Sequence, residues 1–299
     1  MRLQVNTLKF NSLLEIINKN VSKLIEIFKL KMIYLKIITG KGLEFDRLRE
    51  YTPSDDANSI DWNATARTTQ PYVKIFKEER MLDVILLFDV SNTMLLGTTP
   101  LTKNEYASVI AGILGYTAIN SGDKLGLIMF SDRIKFILDP SQSMDNYYSM
   151  LRLLSQPKYY GGVKNWSCLP KVLLETFGPD TVLFIISDFV KTPPQMFDDL
   201  QKFANKFKAV FGIMVRDPRD SELPKGVGSI YLADPDTGRI VLVNVDEIRE
   251  KYNMLAKRQE EFVEKLFKNA GGYFFKVHTN EDFTNAFIKF LNKIDLGVG

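Results

Sequence analysis

Two short polar clusters in this chain of 299 residues each follow an apolar run. The first is Asp89-Val90-Ser91-Asn92-Thr93, directly after a run ending at Phe88. The second is Ser187-Asp188, directly after Thr181–Ile186. Carboxylates and hydroxyls without histidine or thiolate make an all-oxygen donor set. Hard divalent cations choose such sets: magnesium first, or manganese or calcium in its place. A loop leaving a strand can aim alternate residues at one point, so 89, 91 and 93 could share one ion. The same residues also suit a structural role, with Asp89 capping the following turn and the hydroxyls satisfying loop backbone. Spacing alone leaves both readings open.

Other chemistries are poorly served. The chain has one cysteine, Cys168, and one histidine, His278. That excludes an intrachain disulfide and a Cys/His zinc cluster. No G-x-x-x-x-G-K-[ST] loop occurs, and Gly40-Lys41-Gly42 runs straight into Leu43. No G-x-S-x-G elbow exists, and His278 sits in a strand-to-helix turn. A haloacid dehalogenase-type phosphatase needs an acid two residues after its first aspartate. Ser91 stands there instead and cannot donate a proton near neutral pH. Cys168, near Pro170, reads as a small buried residue. Tyr273, Phe274 and Phe275 read as core rather than as a base-stacking platform. The expectation is a protein without enzymatic activity and without a nucleic-acid partner.

The elements that must position the clusters follow from periodicity. From residue 82 onward, apolar runs alternate with helical patterns. Strands are expected at Asp83–Phe88, Lys124–Phe130, Thr181–Ile186, Ala209–Val215 and Gly272–Val277. Helices are expected at Lys103–Asn120, Ser143–Leu154, Leu169–Phe177, Pro194–Lys206, Val245–Asn269 and Glu281–Ile294. This alternation predicts an α/β fold with a doubly wound, mostly parallel sheet, whose ligands bind at the carboxyl ends of strands. A turn-rich insertion near 216–245 carries Asp234-Pro235-Asp236-Thr237-Gly238 between two short strands. Residues 39–80 read as a small β-rich subdomain, with Tyr72–Phe76 alternating like a strand. Residues 1–38 read as an amphipathic helical segment. Seven basic residues against two acidic ones in positions 1–40 hold the basic excess of a chain whose net charge is only +3. Packing on its own domain is the plain reading of residues 8–38; contact with a membrane surface or partner is the other. Charges at Glu26, Lys29, Lys31 and Lys36 break the apolar stretch, so no spanning helix is expected.

The apolar strand followed by Asp89-x-Ser91-x-Thr93 resembles the metal-ion-dependent adhesion site of von Willebrand factor A domains, with Thr93 replacing the last serine. The resemblance implies Asp188 as the aspartate of the third loop. It places Ser167, at a loop-to-helix transition, where the family has a second-loop threonine. Gly161-Gly162 precedes that stretch, but Val163 follows where threonine is usual. The segments Glu44-Phe45-x-x-Leu48-Arg49-Glu50-Tyr51, Asp55-Asp56, Ile60-Asp61-Trp62-x-Ala64-x-Ala66-Arg67 and Glu78-Glu79-Arg80 further resemble the domain-of-unknown-function 58 family, often called MoxR-associated. So do Asp123-Lys124-Leu125-Gly126-Leu127 and Arg216-Asp217-Pro218-Arg219. The family's Gly-Asp-Asp-x-Arg segment reads Ser54-Asp55-Asp56-Ala57-Asn58 here, without the glycine or the arginine.

The resemblance implies residues 81–299 as a von Willebrand factor A-like domain, fused to the β-rich part. It implies a metal-dependent, protein-binding adaptor that works with a MoxR-type AAA+ ATPase in complex assembly or metal insertion. The expected ligand set is Asp89, Ser91, Thr93, Ser167 and Asp188 around Mg2+. The alternative is an adaptor whose ion site is silent and whose N-terminal parts bind the partner. Asp61 with Arg67, and Arg49 with Glu50, are expected to form an internal polar network. Without a leader or spanning segment, a cytoplasmic location is the expectation.

Overall fold

The computed structural model describes residues 7–19, 45–52, 65, 70–76 and 81–295. The chain divides into two compact units, residues 28–80 and residues 1–27 with 81–299. In the smaller unit, β1 (Phe45–Glu50) pairs antiparallel with β2 (Tyr72–Phe76), with an irregular register between Phe45 and Arg47. The Tyr72 amide donates to Thr65 Oγ1 at 3.1 Å. Arg49 donates locally, to the Glu50 carbonyl at 3.3 Å. Asp61 and Arg67 of the expected polar network lie outside the described residues, as do Trp62, Ser54–Asn58 and Glu78–Arg80.

In the larger unit, residues 10–19 form helix α1. Its Leu13 and Ile17 are fully buried. Phe10 meets the Tyr148 ring edge-on, with the Arg152 guanidinium 5.4 Å over its face. The amphipathic stripe read from the sequence therefore covers the domain's own core over these residues. Apolar burial ties residues 10–19 to the large unit.

The central sheet has six strands in the order β10-β7-β6-β3-β4-β5. They are β3 (Asp83–Asp89), β4 (Lys124–Phe130), β5 (Ile134–Ser141), β6 (Thr181–Ser187), β7 (Ala209–Arg216) and β10 (Tyr273–His278). All neighbours pair in parallel except β4 with β5, which are antiparallel. Strands β3, β6 and β7 are buried nearly end to end, as near-continuous apolar runs in a two-sided sheet must be.

Period-2 alternation divides the side chains between the faces. Ile85, Leu87, Leu183, Ile185, Val210 and Met214 join one cluster with residues of α4 (Leu169–Thr176), α5 (Met196–Lys206) and α7 (Val245–Asn269). Helix α2 (Lys103–Asn120) lies against β3, β4, β6 and β7 and beside α3 (Met144–Leu154). It is buried almost all round, so it carries little amphipathic signature. Gly212 on β7 admits α7: a Cβ there would stand 2.5 Å from the Phe267 ring. The chain also forms a one-turn helix, α6 (Pro218–Ser221), and an antiparallel ribbon of β8 (Ser229–Ala233) and β9 (Ile240–Asn244). Helix α8 (Phe283–Asp295) lies against β10. Among the described residues, no helix is long and apolar enough to cross a membrane.

Candidate functional site

Because β3 and β6 are adjacent and parallel, both polar clusters leave the sheet at one edge. They touch there. Ser187 Oγ donates to Asp89 Oδ2 at 2.6 Å. The Ser91 amide donates to Asp89 Oδ1 at 2.9 Å, closing a tight turn, and Ser91 Oγ lies 3.2 Å from Thr93 Oγ1. Asp89, Ser91, Ser187 and Asp188 are fully buried, and Thr93 nearly so. The loop after α3 completes the edge: the Gly161 amide donates to the Val90 carbonyl at 2.7 Å, and the Asn92 amide to the Gly162 carbonyl at 3.0 Å. Gly162 has φ 101°, and a Cβ there would stand 2.5 Å from Asp132 Oδ1, so only glycine fits without strain.

Two lysines that sequence reasoning did not single out enter this cluster. Lys164 Nζ lies 2.7 Å from Asp89 Oδ2, donates to Asp188 Oδ1, and donates to Ser187 Oγ at 3.1 Å. Lys103, the first residue of α2, donates to Asp188 Oδ2 at 3.0 Å and to Asp220 Oδ2 at 2.7 Å. The side chains of Lys103 and Lys164 are 1% and 3% exposed. Burial works against the Lys103 charge, but Asp188 and Asp220 outweigh it and raise its pKa above the ordinary lysine value. Burial likewise opposes ionisation of Asp188. Lys103, Lys164 and Arg216 overcome that and hold its carboxyl well below the usual carboxylate range. Such a constellation is stable only because each buried charge faces its opposite.

The donor set tests poorly against a divalent ion. Both oxygens of Asp89 and both of Asp188 already accept hydrogen bonds, and Lys164 occupies the gap between the two carboxylates. Magnesium needs a near-octahedral set of free oxygen lone pairs. Like unit charges 4 Å apart repel by about 4 kcal/mol at an effective dielectric near 20, and a divalent ion doubles that against each ammonium. Among the described residues, no group of three His, Cys, Asp or Glu side chains is placed to hold a metal. Ser167 is exposed in a short 3-10 turn, where its amide donates to Asn165 Oδ1 at 3.1 Å. The side chain that this loop sends to Asp89 and Asp188 is Lys164, three residues earlier.

The third loop is held in an unusual path. Phe189 and Lys191 have φ of 52° and 57°, costly for bulky side chains. The fully buried Phe189 ring stacks on Trp166 at 5.6 Å, and Trp166 lies beneath the Lys164 ammonium at 5.8 Å from ring centre. This packing fixes Asp188, whose Oδ1 also accepts from the Val190 amide at 3.0 Å. The ribbon turn reaches the same edge. Asp236 accepts from Lys191 Nζ at 2.6 Å and from Asn92 Nδ2 at 3.4 Å.

A second polar chain lies on the α6–β10 side. Ser221 Oγ is 3.0 Å from His278 Nε2, and His278 Nδ1 is 3.3 Å from Glu281 Oε1. It imitates the order of a hydrolytic triad. However, the Ser221 hydroxyl donates to Glu260 Oε1 at 2.6 Å, so its proton points away from the imidazole. Glu260 is committed in turn to Lys276 at 2.7 Å. The arrangement is that of a surface network.

The family model described as "Protein of unknown function DUF58" matches residues 47–262. The chain belongs to the DUF58 family. Uncharacterized proteins of Mycobacterium bovis and Mycobacterium tuberculosis are 27% identical over 261 residues, covering 86% of this chain and 81% of theirs. Among solved structures, the conserved hypothetical protein BatB from Bacteroides thetaiotaomicron is 16% identical at a TM-score of 0.47, covering 72% of this chain and 99% of that one. The SpRpn10 VWA domain is 13% identical at a TM-score of 0.41, covering 74% and 98%. The DUF58 chain has a mixed α/β core built on a six-stranded, mostly parallel sheet, as its alternating strands and helices imply. Within that DUF58 frame, the two buried lysines are the feature the motif did not announce. Their signal in the sequence was a lysine directly after Gly161-Gly162-Val163 and another opening a largely apolar helix.

Proposed function

We propose that this protein is a non-enzymatic, cytoplasmic adaptor that binds a partner protein, working with a MoxR-type AAA+ ATPase in complex assembly or metal insertion. The partner class is taken from the motif resemblance to MoxR-associated sequences. One structural observation carries the binding role. The β8–β9 ribbon presents a contiguous apolar face in which Tyr231 pairs with Leu242 and Ala233 with Ile240. Tyr231, Leu242 and Ile240 are 76%, 61% and 58% exposed. Contiguous exposed apolar patches on folded proteins mark interaction sites. The ribbon's turn is tethered through Asp236 to the strand edge, so a protein docking here would also meet loops one and three.

The non-enzymatic part of the reading draws on the two polar clusters among the described residues. The two strand-edge carboxylates are neutralised by ammoniums, and the Ser221 proton is committed to Glu260. The alternative in which the ion site is silent is favoured by Lys164. Binding through the first helix is disfavoured over residues 10–19, whose apolar stripe is already buried.

The test is a pull-down of candidate MoxR-type ATPases with the full chain and with its Tyr231→Asp/Leu242→Asp variant. Capture by the wild type, weakened at least about tenfold in the folded variant, is expected. Equal capture by both removes the ribbon from the account. No capture of any such ATPase removes the partner.

A further inference from the structure

The family motif leads to a divalent ion between Asp89 and Asp188, yet the geometry places a side chain of the chain itself there. We infer that the Lys164 ammonium is the resident cation of this strand edge. It does by covalent tether what a bound ion does in a metal-dependent adhesion site, and it makes this member of the fold independent of divalent metal.

Three independent observations carry this. First, the ammonium is within 2.7 Å of Asp89 Oδ2, reaches Asp188 Oδ1 and lies 3.1 Å from Ser187 Oγ, so it touches three of the oxygens that an ion bridging the two strand ends would use. Second, its stem is anchored on both sides. The preceding Gly161 and Gly162 are hydrogen-bonded to Val90 and Asn92, and the following Asn165 amide donates to the Ser131 carbonyl at 2.8 Å. Trp166 then packs against Phe130 and Phe189. The lysine is delivered to the cluster by a fixed loop. Third, Asp188 meets a second ammonium from the other side. Lys103 pairs with it at 3.0 Å, so the two strand-edge carboxylates, Asp89 and Asp188, already face two buried ammoniums. A divalent ion would have to expel Lys164 from a site where its side chain is 3% exposed and would still face Lys103.

The consequence for interaction is direct. An ion site that leaves one position open recruits a partner carboxylate. An ammonium whose donors all face the chain's own Asp89, Ser187 and Asp188 offers none. Partner binding should then be insensitive to chelators. The inference rests on the strand-edge geometry alone, and the adaptor reading stands or falls separately.

The experiment measures Mn2+ binding to the full chain by electron paramagnetic resonance, together with melting temperature in EDTA and in excess Mg2+ or Mn2+. The wild type is expected to bind no stoichiometric Mn2+ up to about 1 mM and to melt at one temperature in all three conditions. The Lys164→Ser variant removes the cation and supplies a hydroxyl. It should gain stoichiometric Mn2+ binding and a melting temperature that rises with metal. Lys164→Gln, closer in size, serves if the serine variant does not fold, and should gain metal-dependent melting. Stoichiometric sub-millimolar Mn2+ binding by the wild type, lost in Asp89→Asn, would overturn the inference. So would a folded Lys164 variant whose Mn2+ binding matches the wild type.

Discussion

Lys164 Nζ stands 2.7 Å from Asp89 Oδ2, and the two side chains are 3% and 0% exposed. A charge pair so placed couples the loop after α3 to the end of β3, and through Asp188 to the end of β6. Breaking one side of a buried pair leaves an uncompensated charge, which typically costs about 3–5 kcal/mol. Lys164→Met is therefore expected to lower unfolding free energy by roughly that amount in urea titration. Asp89→Asn combined with Lys164→Met should cost less than the sum of the single changes, because the double variant removes both charges. A loss from Lys164→Met within about 0.5 kcal/mol, as for an ordinary surface site, would contradict the pairing.

The same cluster sets a pH dependence of stability. The Asp188 carboxyl is held below its ordinary value, so its contribution is present above the unfolded carboxylate pKa and is lost as pH falls through the folded one. Lys103 is raised, so its contribution is present below the unfolded lysine pKa and is lost as pH rises through the folded one. Melting temperature should be level across neutral pH and fall on the acid side, with a second fall only at strongly alkaline pH. In Asp188→Asn the acid limb should be shallower. An acid limb of unchanged steepness in that variant would show that other carboxylates control it.

Gly212 predicts a packing effect. Alanine there sets a methyl group 2.5 Å from the Phe267 ring, on the helix that follows the ribbon. Overpacking of a tight core costs about 1–3 kcal/mol. Gly212→Ala should destabilise by at least that, and Gly212→Ala/Phe267→Leu should recover part of it in the same titration. Unaltered stability in the single variant would mean that α7 packs farther from β7 than described.

The Ser221–His278–Glu281 chain predicts an absence of hydrolysis. The Ser221 hydroxyl donates to Glu260, so its proton is directed away from the His278 imidazole that a triad would use as base. Wild type, Ser221→Ala and His278→Ala should hydrolyse p-nitrophenyl acetate at the same background rate. A wild-type rate well above both variants would reopen an enzymatic reading.

Much of the fold was legible because buried parallel strands announce themselves. The runs at 83–88, 124–130 and 181–186 are apolar and end in polar residues, and those ends mark the sheet edge. Asp89 and Ser187 meet there as the topology rule requires. The one-turn helix at Pro218–Ser221 was missed because four residues carry no periodicity. The strand at Phe45–Glu50 mixes charged and apolar residues without clean alternation, so only its β-rich setting was foreseen. The lysines were invisible for a different reason. A lysine in a loop or at a helix start is normally solvated, and only the tertiary contacts reveal that Lys103 and Lys164 turn inward. Ser167, expected from its place before a helix, is exposed because the loop turns at Asn165 and commits its inward position to Trp166.

The most direct measurement is diffraction from crystals of the wild-type protein grown in excess Mn2+, recorded with manganese anomalous signal. The account predicts continuous density for the Lys164 side chain ending between Asp89 and Asp188, with no anomalous peak within coordination distance of either carboxylate. An anomalous peak bridging Asp89 and Asp188, with Lys164 turned away, would contradict it.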